Sequence, residues 1–243
     1  MKKRLLVLGL AFTMLAATAC GTSSDNGSKT SKADKTVTAA TNDDKKTETQ
    51  KNDDTKKEET KESYKSADDI TMDDLNNHEE TSADDFEYGD GPDGSVVIDE
   101  YIGDDPIVVI PNEIDGKKVV DFGKTFMNDK DIVAVQIGDN VDEIADSAFT
   151  NCDNLKYIIF GKNVKKIKSG LLGGKKIEQI EFNEGLETLG SGSSGVGLMS
   201  EIDVKIPDSV TEMAFWGAKT MIVKSGSYAE NFAKEHNMDY RVE

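Results

Sequence analysis

A motif of about 23 residues recurs along the second half of this 243-residue chain and restricts its fold more than any other feature. Copies begin at Ile137, Phe160, Phe182 and Ile206, at spacings of 23, 22 and 24 residues, and an earlier copy begins at Ile110. A unit this short cannot close a hydrophobic core alone, so successive units must stack and share one. The repeat therefore predicts a solenoid of about five coils.

Each copy contains two apolar pairs that predict its local structure. The first pair is two residues apart, as in a half-buried strand: Val135 with Ile137, Ile158 with Phe160, and Ile180 with Phe182. The second pair follows a corner: Val141 with Ile144, Val164 with Ile167, Leu186 with Leu189, and Val210 with Met213. We expect the strands to stack in parallel, with left-handed backbone at the corner residues Asn140, Asn163, Gly185 and Ser209.

The run SAFTNCDNLKYIIFGKNVKKI, residues 147–167, resembles the repeat of the BspA-like leucine-rich repeat family. The residues that fit the family pattern are Ala148, Phe149, Cys152, Leu155, Ile158, Val164 and Ile167. The resemblance implies a β-rich leucine-rich repeat solenoid with parallel strands over residues 92–243. It also implies a closing helix over 226–237, with Tyr228, Phe232 and Ala233 on its buried side.

Some segments depart from that pattern. Gly173 and Gly174 replace the usual cysteine region, and residues 190–200 have no counterpart, so we expect a flexible excursion there. Glu201 falls where a buried Leu or Ile belongs, and a shift of one residue would put Ile202 in its place. We expect Trp216 to pack beneath the last coil.

The amino terminus has the composition of a secretory signal. Lys2, Lys3 and Arg4 precede an apolar run of 13 residues over 5–17, which is too short to span a bilayer as a helix. Cys20 follows small residues, so residues 1–19 resemble a bacterial lipoprotein signal peptide. That resemblance implies lipidation of Cys20 and an extracytoplasmic protein anchored to the cell membrane and facing the cell surface. The alternative is ordinary secretion, with Cys20 incidental.

Residues 20–91 predict a disordered tether, because so few large apolar side chains cannot offset the entropy of ordering. The charges balance over 21–65, whereas residues 66–90 carry ten acidic side chains and no basic ones. A loop starting at Asp85 does not fit the EF-hand calcium-binding pattern. Its fifth position, which should supply an oxygen ligand, is Gly89, and its sixth, which should be glycine, is Asp90. The acidic stretch is therefore interpreted as a solvated run of charge.

Composition excludes several classes of chemistry. A net charge of −18 argues against nucleic-acid binding, which requires a basic surface. The chain has two cysteines and two histidines, too few for a structural zinc site or a disulfide framework. Cys152 has no histidine at a suggestive spacing and fits the repeat as a small buried filler. We expect no enzyme activity, no cofactor and no metal.

The strand pattern also predicts an interaction surface. The residues that alternate with the buried ones point outward and form a strip: Gln136, Tyr157, Ile159, Gln179, Glu181, Asp203 and Lys205. Tyr157 beside Ile159 is a plausible contact anchor. The alternative is that Ile159 is an ordinary exposed apolar residue without a binding role. Because the resembling family includes bacterial adhesins, the likeness implies protein binding or adhesion to an extracellular protein. The alternative is a glycan-binding module, which usually needs several exposed aromatic residues on one face.

Overall fold

The computed structural model describes residues 66–243. The predicted signal peptide, Cys20 and the tether as far as residue 65 lie outside the described residues. The described chain contains short 3-10 turns at Ala67–Asp69, Ala83–Asp85 and Pro92–Gly94, and the helices α1 (Met72–Asn77) and α2 (Tyr228–Glu235). Neither helix has the length or the apolar character that crossing a bilayer requires.

The rest of the regular structure is short β-strands. In chain order they are β1 (Phe86–Asp90), β2 (Val96–Tyr101), β3 (Ile107–Val109), β4 (Glu113–Ile114), β5 (Lys117–Asp121), β6 (Ala134–Gln136), β7 (Glu143–Ile144), β8 (Tyr157–Ile159), β9 (Lys166–Ile167), β10 (Gly170–Leu171), β11 (Gln179–Glu181), β12 (Thr188–Leu189), β13 (Val196–Gly197), β14 (Asp203–Lys205), β15 (Glu212–Met213), β16 (Phe215–Trp216), β17 (Thr220–Val223) and β18 (Tyr240–Val242).

These strands stack into a parallel solenoid with three sides. The first side is the sheet β3-β6-β8-β11, followed along the chain by β14-β17-β18. The second side is β7-β9-β12-β15, and the third is β10-β13-β16. Before the first full coil, β1 and β2 form an antiparallel hairpin, and β2 continues in parallel with β5. The predicted leucine-rich repeat solenoid is therefore confirmed.

One continuous apolar column runs through the coils. The inward residues of the first-side strands, such as Val135, Ile158 and Ile180, are buried in the same cluster as the second-side residues Ile144 and Ile167. Aromatic rings also stack between coils: the centroids of Phe126 and Phe149 are 5.9 Å apart, and those of Phe160 and Phe182 are 5.3 Å apart. Each coil thus completes its core against its neighbours.

The corners do not use the backbone conformation that the sequence predicted. None of Asn140, Asn163, Gly185 and Ser209 has a positive φ. Instead the side chains of the three residues other than Gly185 bond to the preceding coil: Asn140 Nδ2 donates to the carbonyl oxygen of Asn112 (2.9 Å), Asn163 Nδ2 to that of Asp139 (2.7 Å), and Ser209 Oγ to that of Leu186 (2.6 Å). The residues are suited to their positions because they satisfy backbone carbonyls between strands.

The prediction that residues 20–91 are disordered is wrong for 66–91. Residues 66–81, which we call the strap, form a 3-10 turn and α1, and β1 then pairs with β2. The segment has few apolar residues, but Ile70, Leu75 and Phe86 are all buried. Burial of these well-placed side chains, with the hairpin's backbone hydrogen bonds, orders a stretch whose composition alone predicted disorder.

The carboxy-terminal half differs from expectation at several points. The predicted excursion at 190–200 contains β13 of the third side, with Val196 and Leu198 buried. Ile202 packs against the core while Glu201 is exposed, as the one-residue shift predicted. Trp216 is wrongly predicted as buried, since it lies in β16 with 49% of its surface exposed.

The closing helix, α2, is shorter than predicted, and the face that it buries differs from the predicted one. It buries Ala229, Phe232 and Ala233, whereas Tyr228 is 43% exposed. The chain then continues into β18, which pairs in parallel with β17. The helix therefore packs on the end of the column but is not the last element.

We predict that Gly161→Ala destabilises the solenoid by about 1–3 kcal/mol, because the new Cβ would overlap the coil beneath it. That atom would lie 2.8 Å from the carbonyl oxygen of Ile137 and closer still to that of Gly138. Urea unfolding followed by circular dichroism measures the loss. Gly89→Ala is the matched control, since its nearest neighbour would be an Asp99 carboxylate oxygen at an ordinary 3.4 Å. Equal stability of the two variants would contradict this account of the corner.

Candidate interaction surface

The predicted outward strip exists, but its residues differ in accessibility. In the first-side sheet Tyr157 is level with Gln179, and Ile159 is level with Gln136 and Glu181. Gln179 and Glu181 are exposed, and so are Asp203 and Lys205 on β14. Gln136 and Ile159 are half-buried. Tyr157 points away from the apolar column as predicted, yet only 7% of its surface is exposed.

The strap is what covers Tyr157. Ile70 and Leu75 of the strap are fully buried in a second apolar cluster, distinct from the column. The solenoid residues in that cluster are Tyr157 of the strip and four neighbours on or beside β3 and β6: Ile107, Val109, Val133 and Ala134. The strip therefore has a covered half on β3, β6 and β8, and an open half formed by Gln179, Glu181, Asp203 and Lys205. The prediction of Tyr157 as an exposed anchor is wrong because a remote segment packs on it.

Polar contacts stabilise the strap internally and attach its carboxyl end to the solenoid. At the start of α1, the Thr71 amide donates to Asp74 Oδ2 (2.7 Å), and the Asp74 amide donates to Thr71 Oγ1 (3.3 Å), which completes a capping box. The Thr71 hydroxyl lowers the pKa of Asp74. At the other end, the Thr81 amide donates to the carbonyl oxygen of Val109 (2.9 Å), and Val109 N–H donates to Thr81 Oγ1 (3.0 Å). Thr81 thus occupies the free edge of β3.

A buried cation lies beside the covered half. Lys156 is largely buried, and its Nζ lies 3.1 Å from Glu178 Oε1 and 3.9 Å from Asp68 Oδ1 of the strap. The hydroxyl of Tyr157 donates to Glu178 Oε2 at 2.6 Å. Burial, followed by the Glu178 carboxylate, raises the pKa of Tyr157 to about 12. The Tyr157 hydroxyl and Lys156 in turn lower the pKa of Glu178.

The open half presents mixed charge. Gln179 Nε2 donates to Glu181 Oε1 at 2.8 Å. Further along, Lys205 Nζ lies 2.6 Å from Glu243 Oε1, and Arg241 lies 3.9 Å from Asp203. A cleft of about 390 Å³ adjoins this half beside Ile159 and Glu181. This surface is polar and exposed, and it is carried on strands whose backbones are fixed by the stack.

A second cleft of about 720 Å³ lies away from the strip, between β5 and β7. Its lining mixes both signs of charge, including Lys118, Asp121 and Asp142. Lys168 on its wall contacts the Glu143 carboxylate, which raises the pKa of Lys168. Among residues 66–243 no cluster of histidine, cysteine and carboxylate side chains has the grouping of a metal site.

Cys152 has the structural role that the repeat predicts. Its side chain is buried in the column, and Sγ donates to the carbonyl oxygen of Phe126 at 2.7 Å. Burial raises the pKa of the thiol to about 12. The histidines are engaged elsewhere: His78 Nε2 lies 3.5 Å from Asp105, and the ring of His236 stacks on Phe232. Cys152 is thus neither ionised nor paired with a base, as a nucleophile would have to be.

The stacked coils are matched by a known repeat family. Residues 123–219 match the BspA type leucine rich repeat region in six copies, one more than the five coils predicted from spacing. We refer to residues 123–219 as the BspA-type region.

Solved structures of bacterial leucine-rich repeat proteins are similar to this chain. A leucine-rich repeat protein of T. pallidum is 28% identical with a TM-score of 0.51, and the match covers 59% of this chain and 71% of that one. A leucine-rich repeat protein of Bacteroides ovatus is 21% identical with a TM-score of 0.42, and the match covers 55% of this chain and 37% of that one. No protein of curated function matches the sequence.

We predict that Cys152 resists thiol reagents while the BspA-type region is folded. In a Cys20→Ser protein Cys152 is the remaining cysteine. A buried thiol with a raised pKa should react with an aromatic disulfide at pH 8 more than about a hundredfold more slowly than the same protein in urea. The absorbance of the released thiolate measures both rates. Fast labelling of the folded protein would contradict this placement of Cys152.

Proposed function

We propose that this protein is a lipid-anchored bacterial cell-surface protein whose BspA-type region binds an extracellular protein. The signal pattern that ends at Cys20 supports the anchor, and the polar residues 21–65 would serve as the spacer. A lipoprotein anchor carries more than one acyl chain, which is what durable attachment to a membrane requires. The solenoid then acts as a rigid platform held away from the bilayer.

The open half of the strip is the observation that carries the binding proposal. It places Gln179, Glu181, Asp203 and Lys205 on two successive coils, exposed and fixed in spacing by the strands beneath them. Rigid elements that present polar side chains bind a partner with little loss of conformational entropy. The similarity to the T. pallidum leucine-rich repeat protein supports the solenoid fold that carries this surface.

The aromatic residues favour a protein partner over a glycan. Glycan sites stack sugar rings on aromatic side chains that share a face. Among residues 66–243 the exposed aromatic residues, Tyr88, Trp216 and Tyr228, lie on β1, β16 and α2, three separate elements outside the open half. We therefore place protein binding first, and a glycan array measured alongside the protein assay discriminates between the two.

For the anchor, we predict that Cys20→Ser moves the protein from the membrane fraction to the soluble fraction, because no thiol remains for lipidation. Fractionation of cells and incorporation of a fatty-acid analogue measure the change. Ser23→Ala, three residues further along, should stay in the membrane fraction and incorporate the analogue. A Cys20→Ser protein that partitions into detergent like the original would refute the lipid anchor.

For the binding surface, we predict that Glu181→Lys combined with Asp203→Lys weakens capture of the extracellular partner by about tenfold or more, a loss of about 1.4 kcal/mol. Affinity capture from extracellular protein, followed by a direct binding curve, measures the effect. Glu100→Lys is the control, since Glu100 is exposed on β2 of the amino-terminal hairpin. If only Glu100→Lys reduces binding, the partner contacts another face.

A further inference from the structure

The strap packs on the covered half as a ligand packs in a groove. Ile70 and Leu75 are five residues apart in the sequence, and each is buried almost completely against the outward faces of β3, β6 and β8. Met72 and Ala67 pack at the margin of the same cluster. Two aliphatic anchors in a preformed apolar surface are a common mode of peptide recognition.

The strap is not part of the solenoid's core. The column that joins the coils includes Phe86 and Val96 of the hairpin but neither Ile70 nor Leu75, which belong to the separate cluster. Helix α1 has six residues, far fewer than a helix needs to be stable alone in water. The strap is therefore held by its contacts with the groove, and its departure would leave the column intact.

Charge gives the groove a second element of selectivity. The strap has neither lysine nor arginine but carries six carboxylates: Asp68, Asp69, Asp73, Asp74, Glu79 and Glu80. Lys156 lies at the edge of the groove, largely buried between Glu178 and Asp68. If the strap leaves, this cation becomes accessible beside the apolar floor. The vacated groove would then favour an occupant that supplies an acidic group beside its apolar anchors.

We propose that the covered half is a binding groove for an acidic amphipathic segment of a partner protein, and that the strap is its internal competitor. The matching segment would carry two aliphatic side chains at the spacing of Ile70 and Leu75, with a carboxylate near Lys156. This inference rests on the proposed function, since it adds a second protein-binding surface to the same region. The strap is linked to the groove within one chain, so its effective concentration is on the order of millimolar. A partner must bind tightly enough to displace it.

A peptide corresponding to residues 66–81 is the probe, labelled with a fluorophore and titrated with the full chain. Ile70→Asp combined with Leu75→Asp releases the strap, because two buried anchors become charged. We expect the release variant to bind the peptide at least about tenfold more tightly than the original protein, whose groove is occupied. A peptide with Asn and Gln in place of its acids should bind the release variant more weakly, because Lys156 then keeps Glu178 of the solenoid but gains no carboxylate in the place of Asp68.

Asn76→Asp combined with Asn77→Asp is the matched control, because it adds the same charge to exposed positions of the strap and keeps both anchors. It should bind the peptide no better than the original protein. A release variant with an unchanged circular dichroism spectrum and cooperative melting that fails to bind the peptide overturns the proposal. So does a control variant that binds the peptide as well as the release variant does.

Hydrogen exchange on the unaltered protein covers the case in which the release variant does not fold. The amides of Leu75 and His78 donate within the strap, and that of Ala134 donates to Pro106 within the solenoid. Exchange at Leu75 and His78 that is at least about tenfold faster than at Ala134 supports a strap that opens independently. Equal rates mean that the strap opens only when the solenoid unfolds, which overturns the proposal.

The outcomes also separate this inference from the proposed function. If the release variant binds the peptide but the unaltered chain captures no extracellular protein, the groove proposal stands and the proposed function is refuted. If capture depends on Glu181 and Asp203 but a folded release variant does not bind the peptide, the proposed function stands and the groove proposal is refuted.

Discussion

Each coil buries its apolar side chains only against the coil before it and the coil after it, so stacking is the constraint on which the rest of the structure depends. Such a column has two ends that would be exposed to water. At the amino end Phe86, Val96 and Ile98 of the hairpin join the column, and at the carboxyl end Phe232 and Ala233 of α2 do the same. The hairpin and α2 therefore cover the two ends of the column that the stacked coils would otherwise expose to water.

The repeat made the column predictable from sequence. Val135, Ile158 and Ile180 recur at a fixed spacing, and the spacing alone places them on one inward face. The same alternation correctly turned Tyr157 outward. The strap's contact with Tyr157 could not be predicted in this way, because it joins Leu75 to a residue more than eighty positions away and no period relates the two. Composition failed there as well, since it averages two decisive apolar residues over a long acidic stretch.

The corner residues show a different limit of sequence reasoning. Asn140 and Asn163 were expected to permit a strained backbone, because asparagine tolerates left-handed conformations. In the solenoid they bond to the carbonyl groups of the preceding coil. Both roles favour the same residue type, so the sequence indicated where the corner lies without indicating why asparagine is there. The distinction depends on a neighbouring coil, which a single repeat does not contain.

The two halves of the strip have opposite chemistry, and the strap accounts for the difference. The covered half has apolar outward residues, Ile107, Val109 and Ala134, that would be unfavourable in water. The open half has polar ones, Gln179, Glu181, Asp203 and Lys205, that are stable there without a cover.

Thr81 marks where the strap meets the solenoid. It bonds at the edge of β3, whereas the next apolar residues to be buried in the column are those of the hairpin, beginning with Phe86. Residues before Thr81 therefore contact the solenoid from outside, through Ile70 and Leu75, and residues after the turn at Ala83–Asp85 are part of its core. A strap that detaches should therefore do so only as far as Thr81. Further opening would remove Phe86, Val96 and Ile98 from the column and expose its first coil.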